Sequence, residues 1–160
     1  MKKKIVALAL ITSLLLLPKI MSADEADTYL SKEIQGYCVD IGEMYCVQPE
    51  LLMAIIETES SGDVNARNGD CIGLMQISMK WHKVRADHLK AYDMWDPYNN
   101  ILIGCDYLVE LLEEHGDISL CLMIYNGQSN AFDLYEKGEM SEYATKVLER
   151  SAELERLHGK

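Results

Sequence analysis

The stretch Pro49-Glu50-Leu51-Leu52-Met53-Ala54-Ile55-Ile56-Glu57-Thr58-Glu59-Ser60 decides how the chain is read. Pro49 suits the first turn of a helix, where its missing N–H would have no intrahelical partner anyway. Leu52, Ile55, Ile56 and Glu59 fall at i, i+3, i+4 and i+7, so they share one face. A carboxylate that closes an apolar stripe loses hydration, which favours its neutral form and should raise its pKa. A carboxyl that keeps its proton near neutral pH is a general acid. The alternative is a glutamate in the last turn whose carboxylate simply reaches water. Glu57 points off the stripe and is expected to be a solvated surface residue, a negative control for Glu59.

Downstream, Ser60-Ser61-Gly62 should end this helix, and the polar loop 63–70 carries the turn dipeptide Asn68-Gly69. Gly73-Leu74-Met75-Gln76-Ile77 is short and mostly apolar. A buried amide needs partners, so Gln76 is either structural glue or a ligand-binding group. The pattern from Ser78 to Asp93 is partly helical and breaks at Trp95-Asp96-Pro97. A stronger helix follows, with Ile101, Cys105, Leu108, Leu111 and Leu112 as its stripe and Gly116 past its end. Ile118 to Tyr125 is apolar nearly all round, as a central buried helix would be, and stops at Asn126-Gly127. Met140 to Leu157 reads as a final amphipathic helix with Tyr143, Val147 and Leu154 inward. Upstream, residues 24–37 read as an approach segment or short helix contacting through Tyr29, Leu30 and Ile34, and Gly36 to Val47 as a connection. The expectation is one compact, mainly helical domain with a small β element before Ser78.

The chain has 160 residues, which suits one domain. Its start resembles a leader: Lys2, Lys3 and Lys4 precede a charge-free run from Ile5 to Leu17, and Pro18 breaks that run. The run is short for a membrane span and matches a signal peptide, with cleavage expected after Ala23. An uncleaved anchor is the alternative. Removing residues 1–23 takes away four lysines and no acid, so the net charge goes from −11 to −15. So acidic a protein is repelled by nucleic-acid backbones and anionic membranes, which excludes nucleic acid as a partner. The expected location is secreted or cell-wall associated, with no stable membrane span after cleavage.

The five cysteines, Cys38, Cys46, Cys71, Cys105 and Cys121, all follow the leader. An oxidising compartment permits disulfides, and the close pair Cys38 and Cys46 is the preferred bridge. The other three cannot be paired from sequence. No C-x2-C occurs, and His82, His88, His115 and His158 have no coherent spacing with the cysteines, so no metal or other cofactor is expected. His82 beside Trp81 reads as a surface or packing residue.

Four blocks together resemble the lytic transglycosylases of the soluble-lytic-transglycosylase type, relatives of goose-type lysozyme. They are Ala54-Ile55-Ile56-Glu57-Thr58-Glu59-Ser60; Gly73-Leu74-Met75-Gln76-Ile77; Asp96-Pro97 with Asn100-Ile101, Gly104 and Tyr107-Leu108; and Tyr125-Asn126-Gly127. A looser fifth match is Glu139, then Tyr143 and Val147-Leu148. The blocks run in the family's order over roughly residues 50–148. Departures fall on packing positions: Ile124 where alanine is usual, Met140 and Ala144 where threonine and valine are.

The resemblance implies an α+β lysozyme-like domain over residues 24–160, its core about 48–150, with a catalytic glutamate at a helix end. It assigns the catalytic acid to Glu59 and implies cleavage of the β-1,4 bond between N-acetylmuramic acid and N-acetylglucosamine in peptidoglycan, with a 1,6-anhydro product. Under it Ser60, Gln76, Tyr125, Asn126 and Tyr143 would contact substrate or frame the cleft, with Tyr143 leaning over Glu59. Ser60 and the two tyrosines also have plainer readings: helix capping for Ser60, core packing for the tyrosines. Asp63 and Asp70 are candidate second carboxylates by analogy with goose-type lysozyme, though their polar surroundings favour solvated side chains. Two rival functions remain: a hydrolytic muramidase, and a non-catalytic peptidoglycan-binding accessory of a secretion, conjugation or spore apparatus. The partners implied are peptidoglycan glycan strands and a cell-wall or secretion-apparatus protein.

Overall fold

The computed structural model describes residues 28–160, so the expected leader lies outside the described residues. Seven helices are described: α1 (Lys32–Tyr45), α2 (Pro49–Ser60), α3 (Met79–Leu89), α4 (Pro97–His115), α5 (Ile118–Tyr125), α6 (Ala131–Glu136) and α7 (Glu142–Leu157). Between α2 and α3 lie three short strands, β1 (Arg67–Asn68), β2 (Cys71–Ile72) and β3 (Ile77–Ser78). This is the α+β lysozyme-like arrangement the sequence led us to expect. No described helix is long and apolar enough to cross a membrane.

Local chemistry sets where the helices begin. Asp96 accepts a hydrogen bond from the Asn99 N–H, Asp117 from those of Ser119 and Leu120, and Ser141 from that of Ala144. Each satisfies N–H groups that a helix start leaves without partners. The middle of α2, from Leu52 to Ile56, is buried without a break. Such continuous burial needs neighbours on more than one side. α7 packs along one flank of α2 and α1 along another, while α1 also packs on α4, and α4 on α5. α5 is enclosed, as its all-round apolar sequence requires, with Leu120, Cys121, Leu122 and Met123 in the core.

Two expectations about the N-terminal part are corrected. Residues 36–45 are helical rather than a connection, because Ile34, Cys38 and Ile41 form a buried stripe that holds α1 against the core. Gly42, inside that expected connection, is a contact point between α1 and the start of α2. A Cβ there would come within 2.6 Å of the Val47 carbonyl oxygen and 3.3 Å of the Pro49 ring. Its absence lets α1 turn directly into α2, with Cys46 in the left-handed conformation (φ 56°). The second correction concerns the bridge: Cys38 and Cys46 are not linked, and all five cysteines are free. Eight residues along a helix span about 12 Å, whereas a disulfide needs Cα atoms within about 7 Å. Cys38 is buried, Cys46 exposed. Burial and the neighbouring Cys105 push the Cys38 thiol well up, so it stays protonated.

The sheet is a small antiparallel meander, β1-β2-β3, with Asn68 opposite Cys71, and Cys71 opposite Ser78. Gly69 at φ 61° makes the tight turn that Asn68-Gly69 signalled. The next segment is pinned by Asn100, a fully buried amide on α4. Its Oδ1 accepts from the Met75 N–H at 2.7 Å, and its Nδ2 donates to the carbonyls of Ile72 and Met94, both at 2.9 Å. Only glycine fits at position 73, where φ is +75° and a Cβ would lie 2.3 Å from that amide nitrogen. The Gly-Leu-Met-Gln-Ile block is therefore a rigid loop clamped to α4.

Candidate active site

Glu59 stands in the last turn of α2, half-buried, and its Oε1 accepts a hydrogen bond from the Tyr143 hydroxyl at 2.6 Å. Tyr143 comes from the first turn of α7, so the packing of α7 on α2 creates the pair. Burial raises the Glu59 pKa and outweighs the opposing effect of the Tyr143 hydrogen bond. The Tyr143 phenol is pushed far up by burial and by the adjacent carboxyl, so it remains a neutral donor. The geometry is a protonatable carboxyl whose charged form has one fixed donor waiting for it.

This has a consequence for stability. Folding raises the Glu59 pKa above its unfolded value of about 4.3, so the protonated form is what the fold accommodates. The favourable contribution is complete below the unfolded value and is lost as pH rises through the raised folded value. Glu59→Gln keeps an acceptor for Tyr143 without a desolvated charge. Its melting temperature should exceed that of the wild type at pH 7, and the gap should close below about pH 4. A gap independent of pH would place the carboxylate in water.

The other expected site residues divide. Tyr125 donates to the Met75 carbonyl at 3.1 Å and stacks on Tyr107 with centroids 5.3 Å apart. With the exposed Asn126 it lines a cleft of about 480 Å³ whose other walls include Cys71, Gln76, Ser78 and Trp81, while Glu59 and Tyr143 are not among its lining residues. Gln76 is held at φ 50° by its own side chain, which donates to the carbonyls of Ala66 and Gly73 at 3.2 and 2.9 Å. Both its N–H groups are thus used in holding the loop. Ser60 donates to the Ile56 carbonyl one turn back, at 3.1 Å, which is a bond internal to the helix. Asp63 is exposed and accepts from the Asn65 N–H at 2.9 Å, and Asp70 is exposed beside the hairpin turn.

Glu57 departs from expectation. It is buried at 7% exposure rather than solvated. Its Oε2 accepts from Arg150 Nε at 2.6 Å and its Oε1 from Arg150 Nη2 at 3.2 Å and from the Thr28 hydroxyl. It points off the Glu59 stripe, as read, but α7 covers that side of α2. The pair therefore ties together the two helices that carry Glu59 and Tyr143.

Sequence reading also missed the far wall of the cleft. Ser78, Trp81, His82 and Arg85 recur at i, i+3, i+4 and i+7 and all line it. His82 packs on Tyr107 at 4.7 Å between centroids, and burial with the nearby Arg85 pushes its pKa down, so it is neutral at pH 7. Arg85 is fixed by Asp106 and by Glu110, the latter at 2.7 Å. The spacing was legible, but a polar and aromatic stripe is not found by a search for apolar faces. Among the described residues no group of three or more His, Cys, Asp or Glu is placed to hold a metal.

Comparison with known proteins identifies the family. The family model described as the transglycosylase SLT domain matches residues 37–147, a span that holds Glu59, the clamped loop, Tyr125 and Tyr143. A protein named "Transglycosylase" from Enterobacteria phage PRD1 is 33% identical over 87 residues, covering 54% of this chain and 31% of that protein. The chain thus spans about a third of the length of the curated relative it matches. With the family model covering well over half the sequence, the chain belongs to the transglycosylase SLT domain family.

Proposed function

We propose that the protein is a peptidoglycan lytic transglycosylase, cleaving the β-1,4 bond between N-acetylmuramic acid and N-acetylglucosamine with Glu59 as its only acid and base. The observation that carries this reading is the Glu59–Tyr143 pair at 2.6 Å in a chain of this family. Glu59 donates its proton to the glycosidic oxygen as the bond from that oxygen to C1 of the muramoyl sugar breaks. The resulting carboxylate keeps the Tyr143 hydrogen bond, which stabilises it at the moment charge develops. It then takes the proton of the same sugar's C6 hydroxyl, whose oxygen closes on C1. The proton returns to Glu59 and no water is consumed.

One carboxyl suffices for this sequence of events, because the nucleophile is held next to the reacting carbon by its own ring. An inverting hydrolase needs a second carboxylate to activate water. The exposure of Asp63 and Asp70 gives neither the buried setting of a tuned base. Tyr125 and Asn126 line the cleft that would receive the glycan. The substrate lies outside the cytoplasm, which agrees with the leader read over residues 1–23. Glycan strands are then the principal partner, and a cell-wall or secretion-apparatus protein would direct the enzyme to them. The protein mixed with purified peptidoglycan should release soluble muropeptides. Unchanged peptidoglycan under conditions where the protein is folded would overturn the reading.

A further inference from the structure

The cleft contains a polar group that the mechanism above leaves unused. Ser78 is the residue at which α3 begins, a position where serine normally accepts a hydrogen bond from the first turn. Its side chain makes no such bond. The residue is 93% buried, and its hydroxyl has no partner of any kind. Buried hydroxyls without partners are rare and costly. One turn further along the same helix face, Trp81 shows the opposite anomaly. The residue is 75% exposed, although a large indole gains by leaving water. Ser78 and Trp81 line the same cleft as Tyr125 and Asn126.

We propose that Ser78 and Trp81 form a sugar subsite, in which the indole stacks on the apolar face of an N-acetylated pyranose and the Ser78 hydroxyl hydrogen-bonds that sugar's polar edge. A pyranose ring has one face of C–H groups and a rim of hydroxyl and acetamido groups. A flat exposed aromatic beside a free hydroxyl complements both. The wall behind them is rigid: Arg85 is held by Asp106 and Glu110 and lies 5.3 Å from the Tyr107 ring. Lys80 beside the Trp81 ring, at 4.9 Å, leaves most of the indole open. Ser78 lines the cleft while its hydroxyl is buried, so contact with a sugar requires a change of its side-chain rotamer. The subsite rests on the glycan-cleaving reading and assigns a binding role to two residues outside the Glu59–Tyr143 pair.

The test is a binding titration separate from catalysis. The chain has two tryptophans, so in Trp95→Phe the indole emission comes from Trp81 alone. With Glu59→Gln added to prevent turnover, the protein is titrated with the tetramer of N-acetylglucosamine. We expect a saturable change in emission. In calorimetric titrations of the same sugar, Trp81→Ala should weaken binding by about 10-fold or more, with part recovered in Trp81→Phe. Ser78→Ala should weaken it roughly 3- to 10-fold. On active protein both changes should raise the half-saturating peptidoglycan concentration and leave the maximal rate within a few-fold. A Ser78→Ala protein that melts lower yet binds the sugar as before would show a capping role and overturn the subsite, as would unchanged affinity in Trp81→Ala. Sugar binding that depends on both residues, in a protein that releases nothing from peptidoglycan, would keep the subsite and remove the cleavage reading.

Discussion

Glu59→Gln is expected to reduce the release of muropeptides by roughly 10² to 10⁴ while leaving the fold intact. The substitution keeps size, shape and an acceptor for the Tyr143 hydroxyl, which now sits 2.6 Å from the carboxyl oxygen. It removes only the proton that is given and taken back. General acid–base catalysis by one positioned group is commonly worth that factor. Asp63→Asn and Asp70→Asn serve as comparisons, because both residues are exposed and neither hydrogen-bonds to Glu59 or Tyr143. Assay of the three variants on purified peptidoglycan checks the assignment. Equal losses in all three would mean that no single carboxyl carries the reaction.

Glu57→Ala is expected to destabilise the fold by about 3 kcal/mol, the lower end of the cost of breaking a buried ion pair. Arg150 keeps 22% of its side chain exposed and retains Glu153 at 2.7 Å, so it recovers some solvation and the full range does not apply. The Thr28 hydroxyl loses its acceptor as well. Because the pair fastens α7 to α2, activity should fall alongside stability as Tyr143 loses its fixed place over Glu59. Glu57→Gln keeps an acceptor for Thr28 and should lose less. Chemical denaturation of both variants reads this directly. A Glu57→Ala protein as stable as the wild type would mean that the pair contributes no net stabilisation.

The contrast between two glutamates two residues apart shows where sequence reading succeeds and where it stops. Glu59 was legible because its neighbours on the stripe are local, at i−3, i−4 and i−7. Glu57 was not, because its partner Arg150 lies 93 residues away and only the packing of α7 on α2 brings it near. α4, α5 and α7 were found within a residue or two at most boundaries, since their apolar patterns are local and the break at Trp95-Asp96-Pro97 and Gly116 bound α4. Only the start of α1 was anticipated, because Gly36 to Val47 read as a connection, when Gly42 in fact admits the close turn into α2. α6 has six residues, and both Phe132 and Tyr135 are exposed, so it carries no buried stripe to detect. The cysteine pairing failed for a related reason. Eight residues form a short loop in an irregular segment but about 12 Å of separation in a helix.

The mass of the fragment ends tests the central claim most directly. If Glu59 acts alone and the C6 hydroxyl is the acceptor, the muropeptides released should end in 1,6-anhydromuramoyl groups. They should be lighter by one water than the products of a hydrolase. Reducing muramic acid ends as the main product would contradict the account and require a water-activating carboxylate that the Glu59–Tyr143 pair does not supply.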